Sequence, residues 1–167
     1  SCNVTGPDSQ KEEKAQIDSI MKIKSLPVLT AVQYGFSKFP YSEIYGGKSG
    51  PDQPFAWMFY LLEYKGQQIL IDTGFYDETL KNIFHMDLLF NPLDILASMA
   101  ITKTDIDFII LTHGHFDHAG MINQFPKAQI IVQKDVWSAL SRNPLPSYIL
   151  EGIQKENVQL FDESYKL

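Results

Sequence analysis

The feature that most restricts the fold is a short apolar run, residues 106–111, that stops at Thr112-His113-Gly114-His115-Phe116-Asp117-His118. The run has strand length. Three of the chain's four histidines and an aspartate then fall within six residues. A strand points residues i and i+2 the same way, so His113 and His115 leave its end with their rings on one side. Gly114 between them lets the backbone bend without a Cβ clash. Asp117 and His118 turn away from that pair and can serve a second ion a few ångströms off. Imidazole nitrogen and carboxylate oxygen are the ligands that zinc and similar ions take. The spacing differs from the H-E-x-x-H pattern, whose histidines lie one turn apart on a helix. It suits a corner where a strand gives way to a loop. His113, His115, Asp117 and His118 are therefore the candidate metal ligands, and a fold for this chain must bring them to a strand end.

The rest of the chain reads as a sheet layered with helices. Residues 28–36 alternate Val28, Thr30, Val32, Tyr34 and Phe36 on one face, which predicts a strand. Residues 40–54 carry Gly46-Gly47, Gly50 and three prolines, a long loop that is either a binding element or a disordered insertion. Residues 55–64 are apolar on both faces until Glu63, the pattern of a strand covered on both sides. Lys65-Gly66-Gln67 predicts a turn into a return strand that ends at Asp72-Thr73-Gly74. There Asp72 is placed to accept a hydrogen bond from a ligand imidazole; the alternative is an aspartate that merely closes a turn. Residues 77–90 hold Phe84, Met86, Leu88, Leu89 and Phe90, a wall for an apolar pocket or ordinary helix packing onto the sheet. His85 stands alone in it and is not assigned to metal. Asn91-Pro92 starts a helix over 93–101. After the histidines come a strand at 129–133, a helix at 135–141 capped by Lys134 or Asp135, a break at 143–146, a helix over 147–155 and a strand at 158–161.

His113-x-His115-x-Asp117-His118 resembles the signature of the metallo-β-lactamase superfamily, and Leu70-Ile71-Asp72-Thr73-Gly74 resembles its second motif. Phe116, Ala119-Gly120 and Phe125-Pro126-Lys127-Ala128 look most like the branch containing N-acyl homoserine lactone lactonases. The resemblance implies an α/β (α+β by some schemes) αββα sandwich, of which residues 26–167 are the N-terminal part with the C-terminal part missing. It implies that His113 and His115 bind one zinc ion and Asp117 and His118 another, with Asp72 supporting them. Asp117 then carries both metal and catalytic roles. The implied chemistry is hydrolysis by a metal-bound hydroxide, on a lactone or similar small-molecule ester. A thioester hydrolase or sulfur dioxygenase of the glyoxalase II kind shares the motif. In the family a further histidine, a bridging aspartate and a final histidine complete the two-zinc site. No histidine follows His118 here, so the expectation is one ion or none in this chain and little activity. A non-catalytic metal-binding remnant, or a dimer covering the missing half, is the competing class.

Net charge is −6 with no cluster of Lys and Arg, which argues against an extended nucleic-acid footprint. No apolar run approaches the roughly 20 residues that span a bilayer. Residues 1–25 read as a polar tail, helical over 12–21. A single cysteine, Cys2, precludes an internal disulfide. Its place ahead of a polar tether fits either the lipid-anchored cysteine of a processed lipoprotein or an incidental cysteine. Localisation accordingly stays open between cytoplasm and an extracytoplasmic lipoprotein. Mass spectrometry of protein expressed with its native upstream sequence separates the two, since the first adds the mass of a lipid to Cys2.

Overall fold

In the computed structural model, which describes Lys14, residues 26–144 and residues 146–166, two twelve-residue strands come first. The predicted helix over 12–21, Lys14 excepted, and Cys2 lie outside the described residues. Strand β1 (Val28–Phe39) pairs antiparallel with β2 (Gln53–Tyr64). The loop expected between them contains a one-turn helix, α1 (Tyr41–Tyr45). A bulge at Tyr34 shifts the β1 register between Gln33 and Gly35. The bulge changes the phase of the alternation. Tyr34 and Ser37 are fully buried, whereas Phe36, predicted to share the inner face, is only half-buried. Ser37 Oγ then accepts a hydrogen bond from Trp57 Nε1 at 2.9 Å.

Lys65 and Gly66 both take positive φ, 51° and 78°, the two-residue hairpin turn whose twist matches its strands. It leads into β3 (Gln67–Ile71). Next come α2 (Glu78–Ile83), capped by the Asp77 carboxylate, and β4 (Met86–Leu89), an edge strand on β1. Residues 77–90 thus split in two, because His85 adopts a left-handed φ of 47° that ends the helical course. Helix α3 (Pro92–Ser98) starts as predicted, with the Asn91 side chain accepting from Leu93 N and proline in the first turn. Then follow β5 (Phe108–Leu111), the single turn α4 (Phe116–Ala119), β6 (Gln129–Gln133), α5 (Lys134–Arg142) and β7 (Val158–Phe161). The cap of α5 is Gln133 rather than Lys134 or Asp135: its side-chain oxygen accepts from Asp135 N and Val136 N. The helix predicted over 147–155 reduces to two 3₁₀ turns, Ser147–Leu150 and Lys155–Asn157.

The strands form one sheet in the order β4-β1-β2-β3-β5-β6-β7. Pairing is antiparallel from β4 to β3 and parallel from β3 to β7. The carboxyl ends of β3, β5 and β6 therefore lie along one edge, where parallel sheets carry their sites. Leu61, Leu70, Ile109 and Ile130 stand in register across four strands and are each at most 2 % exposed. Burying each such side chain contributes about 1.5–3 kcal/mol. The other face is only partly covered over β1 and β2, contrary to the pattern of residues 55–64: Met58 and Leu62 are half-buried, Tyr60 is 37 % exposed and Leu29 is 59 % exposed. No described helix is long and apolar enough to cross a membrane.

Close approach of the β3 end to α4 requires glycine. A Cβ on Gly120 would overlap the Phe116 carbonyl oxygen and lie 2.6 Å from Phe75 Cβ. Gly120→Ala should therefore cost about 1–3 kcal/mol, read as a lowered urea midpoint. An unchanged midpoint would show that this contact yields freely.

Candidate metal centre

Strand β5 runs directly into Thr112 and the four candidate ligands. His113 Nε2 and His115 Nδ1 stand 3.2 Å apart. Asp117 Oδ2 and His118 Nε2 also stand 3.2 Å apart. Two ligand atoms on one tetrahedral zinc, each about 2.0–2.1 Å from it, are separated by about 3.3 Å. Both pairs thus have the span of two ligands on one ion. The rings of His113 and His118 are 3.8 Å apart between centroids, so the pairs adjoin. Among the described residues no three His, Cys, Asp or Glu side chains are arranged to hold a single ion. Each pair supplies two ligands and not a third.

Asp72, at the end of β3, reaches across to this corner. It is 5 % exposed and takes a left-handed φ of 62°, tolerable for aspartate and otherwise uncommon. Its Oδ1 accepts from Thr112 N at 2.9 Å, and its Oδ2 lies 2.6 Å from His118 Nδ1. That bond places the proton on Nδ1 and turns Nε2 towards Asp117. Thr112 Oγ1 is 2.8 Å from Asp72 Oδ2 and 3.1 Å from His113 Nδ1. A hydroxyl has one proton to give. It donates to the carboxylate and accepts from His113 Nδ1–H, which leaves His113 Nε2 free to face His115. Asp72 therefore orients His118 directly and His113 through Thr112. Sequence reasoning passed over Thr112, although it opens the histidine cluster. Gly114 has a different reason from the one expected: a Cβ there would meet Leu140 Cβ of α5 at 3.2 Å. His85 is away from the cluster, with an exposed chain position between α2 and β4.

Charges respond to this arrangement. Burial opposes the His118 imidazolium, but hydrogen bonds and charge from Asp117 and Asp72 outweigh it and hold its pKa at about 9. Burial likewise pushes the Asp117 carboxyl up, and the hydrogen bond and charge of His118 more than reverse this, leaving it below the usual carboxylate range. Burial, with the neighbouring His118 and His115, lowers His113. Two cavities flank the cluster. One, of about 490 Å³, is lined by His113, His115, Phe116, Val136, Leu140 and Asn143. The other, of about 500 Å³, is lined by Asp77, Leu80, Ile83, Phe84, Phe116 and Pro146 and is strongly apolar. Phe116 belongs to both. It stacks on Phe84 and meets Phe75 edge-on, each at 4.8 Å between centroids.

The family model of the metallo-β-lactamase superfamily matches residues 54–137, half of the chain, a span that includes Asp72 and all four candidate ligands. The chain belongs to the metallo-β-lactamase superfamily. Metallo-beta-lactamase domain-containing protein 1 of Xenopus laevis is 40 % identical over 45 residues, which are 27 % of this chain and 19 % of that protein. Among solved structures, a quorum-quenching N-acyl homoserine lactone lactonase superposes with a TM-score of 0.69 at 26 % identity, over 83 % of this chain and 58 % of that one. A probable metal-dependent hydrolase from Staphylococcus aureus gives 0.63 at 20 % identity, over 84 % and 60 %. This superfamily chain thus spans about 60 % of the length of the hydrolase structures it resembles. Its fold is metallo-β-lactamase-like over the described sheet.

The raised His118 pKa has a stability consequence in the metal-free protein. A group raised on folding stabilises fully below its unfolded value of 6.5, and that contribution is lost as pH rises through about 9. In the presence of chelator the thermal midpoint should fall between pH 6.5 and 9. Asp72→Asn should flatten that slope. Circular dichroism melts across this range check it, and a slope that survives Asp72→Asn would exclude the Asp72–His118 pair as its source.

Proposed function

We propose that this chain carries the ligand half of a zinc-dependent hydrolase that opens a lactone or similar ester, with N-acyl homoserine lactones as its substrate class. The observation that carries the proposal is the two donor pairs, each 3.2 Å across, at the carboxyl edge of the sheet. Their chemistry fits the ion, since imidazole nitrogen and carboxylate oxygen suit zinc. His113 and His115 would hold one ion, and Asp117 and His118 the other. When bound, such ions polarise a carbonyl and acidify water towards neutrality. The chain's own part is orientation. Asp72 keeps His118 Nε2 directed at Asp117 and, through Thr112, His113 Nε2 directed at His115, where the pairs would hold the ions, and Asp117 stays ionised at neutral pH. The apolar cavity beside Phe116 would exclude water and take an acyl chain. The 26 % identity to a lactonase supports the substrate class.

Catalytic zinc ordinarily keeps three protein ligands. With two per ion, the remaining ligands would come from sequence outside these 167 residues or from another chain. The isolated chain is then a weak metal binder and a poor catalyst. Loss of one oriented electrostatic contact commonly costs about 10²–10³ in rate, and here several are missing together. The lack of a three-donor set among the described residues also favours a second reading, a metal-binding subunit with no turnover of its own.

Zinc content after dialysis, beside turnover of lactone, thioester and β-lactam, tests this. The expected result is at most one firmly held ion per chain and negligible turnover, with lactonase activity in a version extended by its native downstream sequence. Robust turnover by the 167-residue chain that Asp117→Ala abolishes would refute the ligand count. An extended chain that binds zinc but hydrolyses none of the three would favour the non-catalytic subunit.

A further inference from the structure

Helix α4 carries Asp117 and His118 yet is only four residues long. Its last carbonyls have no partner within the helix. The His118 N–H and Ala119 N–H both turn back to the His115 carbonyl, and the Met121 N–H leaves the helix for the Gly74 carbonyl. The Asp117 and His118 carbonyls therefore need donors from elsewhere. Tyr34, fully buried in the bulge of β1, donates its hydroxyl to the Asp117 carbonyl at 3.0 Å across 83 residues of chain. Thr73, also buried, donates its N–H to the His118 carbonyl at 2.7 Å and its hydroxyl to the same oxygen at 2.9 Å. The Thr73 hydroxyl meanwhile accepts from Met121 N at 3.2 Å, so it ties the last turn of α4 to the residues that follow it. His118 is thus gripped at its ring by Asp72 and at its backbone by Thr73, and Asp117 at its backbone by Tyr34. The His115 carbonyl is held only by N–H groups of α4 itself, and among the described residues its ring is bonded only to His113.

We propose that Tyr34 and Thr73 are positioning residues that pre-set the Asp117–His118 pair through the backbone of α4, making it the half-site that takes up metal first. The proposal rests on the reading of these side chains as metal ligands. Neither residue touches the ion. Each acts by fixing where a ligand-bearing peptide can sit. Removing such support typically lowers metal affinity about 10–100-fold. Burial keeps the Tyr34 hydroxyl protonated far above the ordinary phenol range, so it remains a donor at any working pH.

The test is titration of the 167-residue chain with Co²⁺ alone, followed by visible absorbance. Tyr34→Phe and Thr73→Val each remove one hydroxyl, and Thr73→Ser retains it. Ile149→Val trims a fully buried side chain outside this hydrogen-bond set and controls for general destabilisation. Tyr34→Phe and Thr73→Val should bind Co²⁺ about 10-fold more weakly, while Thr73→Ser and Ile149→Val keep wild-type affinity. The first ion's spectrum should vanish in Asp117→Ala and persist in His115→Ala. Folded Tyr34→Phe and Thr73→Val chains with wild-type affinity overturn the positioning role and leave the metal reading intact. A wild-type chain that takes up no cobalt overturns this proposal of a pre-set half-site, and only an extended version that also takes up none overturns the metal reading. Should both hydroxyl deletions fail to fold, hydrogen exchange in the wild-type chain decides. Cobalt must slow exchange of the Thr73 and Met121 amides, and unchanged rates overturn the proposal.

Discussion

The buried carboxylate of Asp72 holds the site together. A carboxylate withdrawn from water is costly unless hydrogen bonds or charge satisfy it. Here one oxygen receives the Thr112 N–H, the other lies 2.6 Å from the His118 ring, and the Thr112 hydroxyl serves the pair. Those partners follow β5, while Asp72 ends β3. The interaction can form only because β3 and β5 run parallel with Ile71 opposite Ile110, and because Asp72 N extends the ladder to the Ile110 carbonyl. A slip of one residue would turn the carboxylate to the other face of the sheet. Register in the middle of the sheet and ligand geometry at its edge are therefore a single constraint.

The same logic explains the local irregularities. A regular strand would carry Asp72 onward in extended conformation, away from Thr112. Its left-handed φ aims it back, and Gly74, at φ 67°, lets the next residues pass closely over Tyr34. Strain of this kind persists where surrounding contacts over-determine it. The bulge in β1 belongs to the same set, since it buries Tyr34 under α4 without losing the inner-face place of Ser37.

The sequence pattern made some of this legible and hid the rest, for physical reasons. Strands β6 and β7 were readable because each is a short segment of β-forming residues set off by polar neighbours, with Pro126 just ahead of β6. The ligand residues were readable because their chemistry is rare and their spacing local. Tyr34 was read as one more residue in an alternating strand, since nothing in residues 28–36 shows that its hydroxyl meets a carbonyl 83 residues away. Periodicity likewise averages over a bulge, so Phe36 was placed on the wrong side. Residues 55–64 report that a strand can be buried on both faces. Whether it is depends on what packs over it, and Tyr60 remains partly open. The split of 77–90 turned on one backbone angle at His85, which its side chain does not announce.

Two carboxylates, Asp72 and Asp117, face one imidazole from opposite sides, 2.6 and 3.2 Å from its two ring nitrogens. Such a pair needs a cation between its members. In the metal-free protein the imidazolium is that cation, which is why its pKa stands at about 9 against the burial that opposes it. The proton on Nε2 then occupies the position an ion bound to Asp117 and His118 would take. On the proposed reading, metal uptake at this pair would replace the Nε2 proton by the ion and leave the Nδ1 proton and the Asp72 bond in place. The fold around α4 can therefore be the same in both states, and the scaffold is set by Asp72 and the sheet register before any ion arrives.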